Sequence, residues 1–228
     1  MRFILGLMFA ALLAALLFLT SCTITRGTVT FDQCFLQKGS AKDNCYFEAG
    51  KCSKMAAGQF RDSCVAELAK TAKDVKVCDL VQTDKTKGYC QQQVAEITND
   101  HVICRSISDR YWENNCHFHL AVNNNKDVYC SLIDNAEQRE ECFQEIAFAT
   151  NNQILCEFLG QEAQETCNFK IATTLQNTTL CEVLSQPLNQ DACRLKIAKL
   201  SRNGDICDEI KFSDVREVCR EYFPEGQK

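Results

Sequence analysis

Cysteine is the residue type in this sequence with the most chemistry to offer, because 17 of the 228 residues are Cys. Sixteen of them form eight pairs along the chain, with a step of 12 residues inside six pairs and of 11 inside two. From the second pair onward the first cysteine recurs every 26 residues, once after 25. A fixed period of this size predicts a stack of repeated supersecondary units. The pairs are Cys34 with Cys45, Cys52 with Cys64, Cys78 with Cys90, Cys104 with Cys116, Cys130 with Cys142, Cys156 with Cys167, Cys181 with Cys193 and Cys207 with Cys219.

Three kinds of chemistry suit so many cysteines: structural disulfides, thiolate metal binding and thiol redox catalysis. Redox catalysis favours a Cys-x-x-Cys pair or a single activated thiol, and zinc sites favour closely spaced ligand pairs. Neither spacing occurs here. An even number of regularly spaced cysteines is typical of the disulfide frameworks found in proteins of oxidising compartments. We therefore predict disulfides and no metal site, with a thiolate metal-binding protein as an alternative.

Two disulfide registers compete. Linking the second cysteine of one pair to the first of the next closes a step of 14 residues at most junctions but leaves Cys34 and Cys219 unpaired. Linking the two members of each pair uses all sixteen. It also places both sulfurs about equally far from the turn between two antiparallel helices, whose Cα atoms must come within about 7 Å. We predict the register within each pair.

The elements that position the cysteines follow from the residues around them. An apolar residue lies three positions after the first cysteine in seven units and directly before it in six. These positions share one face of a short helix. Four and five residues after the second cysteine, an apolar residue followed by Ala recurs in six units, as in Ile146-Ala147. Each unit is therefore predicted to be a helix–turn–helix hairpin in which the small Ala permits close helix contact.

The segments between units carry the residues that end and start helices. Asn, Asp and Gly recur there, as in Asn99-Asp100 and Asn151-Asn152. Asn and Asp accept hydrogen bonds from free N–H groups at helix starts, and Asn tolerates the left-handed turn that ends a helix. Within the fifth unit, Asp134 and Glu137 fit a capping box at the start of the second helix. The predicted fold is an all-α solenoid of about eight hairpins with a period of about 26 residues, over residues 31–228.

The N-terminus carries an export signal. Arg2 is followed by an apolar run from Phe3 to Leu19, which is the layout of a secretory signal over residues 1–21. The run ends in Leu19-Thr20-Ser21-Cys22, which resembles the lipobox of prokaryotic lipoproteins. The resemblance implies that Cys22 is acylated after cleavage of the bond before it, and that residues 22–30 form a tether. The alternative is an uncleaved membrane anchor; both place the rest of the chain outside the cytoplasmic membrane.

The repeat resembles, in architecture only, the α-hairpin solenoids of the tetratricopeptide and Sel1-like kinds. Their longer periods and their Gly/Ala/Tyr signatures are absent. The resemblance therefore implies stacked hairpins and no particular ligand.

Composition, charge and the absence of known motifs argue against several classes of function. A net charge of −5, a pI near 5.3 and the lack of a Lys/Arg block argue against nucleic-acid binding. No nucleophile constellation or phosphate loop is present, so we expect no enzyme and no cofactor. The three histidines are His101, His117 and His119; the last two are expected to face solvent and to be unable to share a metal, because residues two apart on a helix point in different directions.

The fourth unit also holds aromatic residues that suit an interface. Tyr111 and Trp112, the only Trp of the chain, lie near Phe118, and Tyr and Trp are favoured anchors of protein interfaces. The alternative is that Trp112 packs under its own turn. The expected function is a membrane-anchored extracytoplasmic scaffold for an envelope or extracellular protein, or a polysaccharide. A cell-envelope enzyme or inhibitor that uses this unit is the alternative.

Overall fold

The fold is built entirely from helices within residues 31–223, the part of the chain that the computed structural model describes. Each cysteine pair lies on one hairpin of a short helix followed by a longer one, and we number the hairpins 1 to 8 in chain order. The long helices are α1 (Gly39–Glu48), α2 (Gln59–Ala72), α3 (Asp84–Thr98), α4 (Arg110–Asn124), α5 (Ala136–Thr150), α6 (Gln161–Leu175), α7 (Pro187–Ser201) and α8 (Ser213–Tyr222). The short helices span Phe31–Phe35, Cys52–Lys54, Val75–Leu80, His101–Arg105, Asp127–Leu132, Gln153–Phe158, Thr178–Val183 and Gly204–Glu209. The predicted all-α fold of repeated, disulfide-linked helix pairs is confirmed.

The chain divides after Cys64 into two compact regions. The first holds hairpin 1 and the beginning of hairpin 2, and it buries Tyr46 and Met55 together with its cysteines. The Asp43 carboxylate accepts the Ala56 N–H at 3.2 Å and so ties hairpin 2 to hairpin 1.

The second region stacks hairpins 3 to 8 one on another. Each long helix from α3 to α7 contacts the short helix of its own hairpin, the short helix of the next hairpin and the next long helix. The apolar-Ala pairs lie in this core, each residue no more than 2% exposed: Val94-Ala95, Leu120-Ala121, Ile146-Ala147, Ile171-Ala172 and Ile197-Ala198. The apolar-Ala pair of α2, Leu68-Ala69, is only partly buried: Ala69 is buried, whereas Leu68 is 37% exposed. Val65 of this helix is buried instead.

Six of the eight short helices in the described chain are 3₁₀-helices rather than α-helices. In a 3₁₀-helix the side chains at i and i+3 eclipse each other. This geometry puts the first cysteine and the apolar residue three positions later on the same side, as for Cys130 and Ile133, which are both buried. The spacing that predicted a short helix is thus explained by a turn tighter than the α-helix.

The joints between hairpins have the chemistry that the sequence predicts. After α5, Asn151 takes the left-handed conformation with φ 52°, and the Asn152 N–H returns to the Ala147 carbonyl at 3.0 Å, which is a Schellman closure. The Asn152 side chain then accepts the Ile154 N–H and caps the next short helix. The left-handed residue is Gly50, Asn99, Asn125 or Asn151 in four joints, as expected for Gly or Asn, but Lys73, Gln176 or Arg202 in the other three. In the last two joints, Asn177 and Asn203 cap the next short helix instead.

The predicted capping box in hairpin 5 is wrong by one residue. Helix α5 starts after Asn135, whose side chain accepts the Gln138 N–H at 2.9 Å. Asp134 instead interacts with hairpin 4: its N–H donates to Asn114 Oδ1 and its carboxylate pairs with Arg110 at 2.7 Å. The contact with the neighbouring hairpin outweighs the local capping pattern.

The helices of the described chain include none that is both long and apolar enough to cross a lipid bilayer. The predicted signal (residues 1–21), Cys22 and the tether (residues 22–30) lie outside the described residues.

Candidate functional site

The sixteen paired cysteines form eight disulfides, each within one hairpin. The bonds are Cys34–Cys45, Cys52–Cys64, Cys78–Cys90, Cys104–Cys116, Cys130–Cys142, Cys156–Cys167, Cys181–Cys193 and Cys207–Cys219. Their Cα–Cα distances run from 5.3 Å in hairpin 1 to 5.8 Å in hairpins 6 and 7, within the range that a disulfide needs. The predicted register is therefore confirmed. All sixteen half-cystines are buried, and because none of these sulfurs is a free thiolate, they cannot serve as the ligands of the thiolate metal-binding alternative.

The two sequence steps inside a pair lead to the same bond geometry. Cys90 of α3 follows its partner Cys78 by 12 residues, whereas Cys167 of α6 follows Cys156 by 11, yet the Cα–Cα distances are 5.7 and 5.8 Å. Cys90 and Cys167 hold the same place in their long helices, which begin at Asp84 and Gln161. The missing residue of hairpin 6 therefore belongs to the turn between its helices, and the turn absorbs the difference without moving either cysteine.

A second repeated feature joins one hairpin to the next, and we call it the acceptor position. It lies two residues before the second cysteine and holds Asp, Asn or Glu in seven of eight hairpins: Asp43, Asp62, Asn114, Glu140, Glu165, Asp191 and Glu217. In the second region its side chain accepts a backbone N–H at the turn of the following hairpin. The bonds run from Asp134 to Asn114, from Gly160 to Glu140, from Ser185 to Glu165, and from Lys211 and Phe212 to Asp191.

The preceding residue of the long helix, which we call the donor position, acts inside the hairpin. It is three residues before the second cysteine. In hairpins 5, 7 and 8 its side chain donates a hydrogen bond to the backbone carbonyl of the residue three positions after the first cysteine. Arg139 donates to Ile133, Gln190 to Leu184 and Arg216 to Ile210, at 2.7–2.9 Å. In hairpin 3 the same position is Lys87, which pairs with Asp79 at 2.8 Å.

Both positions could have been found from the sequence by aligning the hairpins on their cysteines. A single carboxylate on a helix is usually solvated, so it indicates little by itself. Its recurrence in one column is the signal that these residues bond to a neighbouring hairpin.

Hairpins 3 and 4 depart from this pattern at their junction. The acceptor position of hairpin 3 is Gly88, and a Cβ placed there would lie 2.6 Å from the Trp112 ring. A glycine within a helix costs about 0.5–1 kcal/mol relative to Ala. The Trp112 indole explains this glycine, because the ring occupies the space that an acceptor side chain would need.

Hairpin 4 also changes its charged positions. Its donor position is Glu113, which cannot donate when ionised, and its carboxylate pairs instead with Arg110 at 3.0 Å. The residue after its first cysteine is Arg105, where hairpins 3, 6, 7 and 8 carry Asp or Glu. Hairpin 4 thus departs from the repeat at two charged positions.

The aromatic residues at this departure form a cluster of three rings. The Trp112 ring lies edge-on to Tyr89 of α3, with centroids 5.4 Å apart, and to Tyr111, 5.0 Å apart. Trp112 is half-buried, whereas Tyr111 is 65% and Tyr89 43% exposed. Trp112 therefore packs against the preceding hairpin, and two tyrosines are presented to solvent beside it. We call Tyr89, Tyr111 and Trp112 the aromatic cluster.

Phe118, the third aromatic residue singled out from the sequence, lies elsewhere on α4. It is half-buried against the core that hairpins 4 to 6 share, and its ring is 5.8 Å from that of His119. The structure therefore places Tyr111 and Trp112 together and Phe118 apart from them.

The three histidines have three different environments. His119 is exposed, as expected, and the half-buried His101 stacks on Tyr129 at 5.1 Å. His117 is only 1% exposed, so the expectation that it faces solvent is wrong. Burial lowers the pKa of its imidazole. Among the described residues, no group of three or more His, Cys, Asp or Glu side chains is arranged to hold a metal ion.

A cleft of about 300 Å³ lies between hairpins 6 and 7, lined by Glu165, Phe169, Lys170, Leu184 and Asn189, among others. Burial raises the pKa of Glu165, but hydrogen bonds from Ser185 and Asn189 outweigh it and hold the pKa below its usual value. Because these bonds are those of the acceptor position, the cleft's acidic group is engaged in holding two hairpins together.

Comparison with known proteins adds no family to these observations: no protein-family model matches the chain, and no curated protein or solved structure matches it significantly.

Proposed function

We propose that this protein is a lipoprotein anchored to the outer face of a membrane, where it acts as a non-catalytic scaffold for another protein. The observation that carries the scaffold role is the aromatic cluster at the junction of hairpins 3 and 4. There the repeat gives up an inter-hairpin hydrogen bond at Gly88 and presents two tyrosines beside the Trp112 ring. Tyr and Trp are among the residues that most often dominate binding energy at interfaces.

The architecture supports this role. Stacked hairpins in which each unit contacts its neighbours give an extended surface, and residues outside the repeated core positions vary freely. Eight disulfides, one in each hairpin, cross-link the two helices of every unit. Disulfides persist in oxidising compartments, which agrees with the export signal read from residues 1–21.

Site-specific crosslinking on intact cells tests the scaffold role. A photo-reactive phenylalanine analogue at Tyr111 is compared with the same analogue at Tyr222, which is 63% exposed in hairpin 8 against 65% for Tyr111. We expect a discrete crosslinked protein from position 111 and none of that size from position 222. Identical products at both positions, or none at position 111, would contradict the proposal.

The lipid anchor is tested separately. Replacing Cys22 by Ser removes the thiol that would be acylated and leaves the apolar run of residues 3–19 intact. We expect the variant to remain unprocessed and to lose labelling by a fatty-acid probe. Labelling that persists would show that the lipobox interpretation is wrong.

A further inference from the structure

His117 is a buried ionisable group with an incomplete set of partners. It follows Cys116 on α4, is 1% exposed, and its Nδ1 atom is buried with no hydrogen-bond partner among the described residues. The equivalent residue of hairpin 5, Phe143, stacks on Phe158 of hairpin 6 with the ring centroids 4.5 Å apart, so this position faces the following hairpin. On α4 that hairpin is hairpin 5, whose short helix and α5 both contact α4. A proton added here would create a charge at the joint between hairpins 4 and 5.

The surrounding charges do not favour that proton. Arg105 and His101, both on the short helix of hairpin 4, oppose a positive charge on His117, whereas Glu113 of α4 and Asp134 of hairpin 5 favour it. Both of these carboxylates are already paired with Arg110, whose Nη1 lies 3.0 Å from Glu113 and 2.7 Å from Asp134. The single positive charge of Arg110 compensates one of these two carboxylates, and Arg105 offsets the negative charge that remains.

The other charged groups on the packed elements are engaged elsewhere or exposed. On α5, Arg139 donates to the Ile133 carbonyl, and on α3, Glu96 accepts from Gln92 at 2.7 Å. Asp127, at the start of the short helix of hairpin 5, is exposed. An imidazolium at position 117 would thus be a buried cation without a full counter-charge, which is costly.

We propose that His117 is an acid-sensitive switch that opens the joint between hairpins 4 and 5 when it is protonated. The residue after the second cysteine is buried in each of hairpins 1 to 7, and outside hairpin 4 it is Tyr46, Val65, Gln91, Phe143, Asn168 or Arg194. None of these side-chain types normally changes charge between pH 5 and 8, whereas His does. The response is therefore confined to this joint.

The direction of the pH dependence follows from proton linkage. The pKa of His117 is lower in the closed joint than in the open one, where it takes the ordinary value of about 6.5, because burial disfavours the charged form. The stabilisation is complete above that ordinary value and is lost as pH falls from it towards the lower pKa of the closed state. Each pH unit within this window raises the open population up to about tenfold.

Opening breaks identifiable contacts. The joint is held by the Asp134 N–H to Asn114 at 3.0 Å and by Gln138 Nε2 to Asn115 Oδ1 at 2.8 Å. Because Trp112 lies on the same helix, acid would also disturb the aromatic cluster. That last consequence rests on the proposed function; the opening itself does not.

Hydrogen exchange with the disulfides intact tests the switch. Amide exchange in α4 and hairpin 5 is measured at pH 7.5 and 5.5 and corrected for the intrinsic effect of pH. We expect opening at the lower pH to rise several-fold in these segments and to stay unchanged in hairpins 6 and 7. No selective rise would overturn the proposal.

Matched variants assign the response to one imidazole. His117→Gln copies Gln91 of hairpin 3 and His117→Phe copies Phe143 of hairpin 5, so at least one is expected to fold as the parent does at pH 7.5. Either should abolish the acid response, and the exposed His119→Gln should retain it. Arg105→Ser, which copies Ser131 of hairpin 5, should weaken it, since it removes an opposing cation.

A response that persists without His117 would assign it to another group and overturn the proposal. Loss of crosslinking at position 111 with a normal acid response would contradict only the proposed function.

Discussion

Ala147 shows how tightly a single position is constrained by the stacking of hairpins. It is fully buried, and its core cluster includes Leu155 and Cys156 of the next hairpin. Its carbonyl also accepts the N–H that closes the joint, so the backbone at this point is fixed as well. A larger side chain has no free space to enter.

We therefore expect Ala147→Leu to lower the free energy of unfolding by about 1–3 kcal/mol through overpacking. Glu145→Ala, at an exposed position two residues earlier, should change it by no more than about 0.5 kcal/mol. Thermal unfolding of both variants with intact disulfides measures the difference. Equal losses, or a larger loss at Glu145, would show that the buried face of α5 is rotated from the one described.

Residues that recur in phase with the cysteines are predictable, and residues whose environment depends on one particular neighbouring hairpin are not. The period of the cysteines sets the phase of Ala147 and the pairing of Cys130 with Cys142. His117 is expected in solvent because the sequence of α4 shows which face carries Cys116 and the apolar-Ala pair. It does not show that a second face is also covered. Asp134 likewise fitted a local capping box, but its N–H and carboxylate interact with hairpin 4.

At the scale of the helix, the acceptor position explains how successive hairpins keep their register. Asp191 of α7 is the most complete example. Its carboxylate accepts the N–H groups of Lys211 and Phe212 at 2.9 and 2.7 Å, at the start of α8. Its other oxygen accepts from the buried Arg194 at 3.1 Å. One side chain thus accepts hydrogen bonds from the free N–H groups at the start of the next helix and neutralises a buried cation.

Asp191→Ala should consequently be severe, with an expected loss of about 3–5 kcal/mol, because it leaves Arg194 buried with only the more distant Glu182 at 3.8 Å. Glu217→Ala is the matched control: Glu217 holds the same position in hairpin 8 but is exposed. Its loss should stay within about 0.5 kcal/mol. Chemical denaturation under non-reducing conditions compares the two. Similar losses would mean that the acceptor position does not act through the following hairpin.

For the molecule, the arrangement of hairpins 3 to 8 makes stability a sum of local terms. Each hairpin in this region contacts its neighbours in sequence, so its stability depends on its own disulfide and on the faces it shares with them. A single hairpin of this length buries too little apolar surface to fold alone. The disulfide compensates by restricting the unfolded chain, by roughly 3 kcal/mol for loops of this size in the entropy model.

Removing a disulfide should therefore speed amide exchange over a number of hairpins that depends on its place in the array. Replacing Cys130 and Cys142 by Ala frees hairpin 5, which contacts hairpins 4 and 6, whereas replacing Cys207 and Cys219 frees hairpin 8, whose described neighbour is hairpin 7. Both variants lose two buried sulfurs from a loop with the same sequence separation of 12 residues, so their local chemistry is matched.

We expect faster amide exchange across hairpins 4 to 6 in the first variant. In the second, faster exchange should be confined to hairpins 7 and 8, because only one shared face is weakened. Footprints of equal extent would show that the hairpins unfold as one cooperative body rather than through their neighbours.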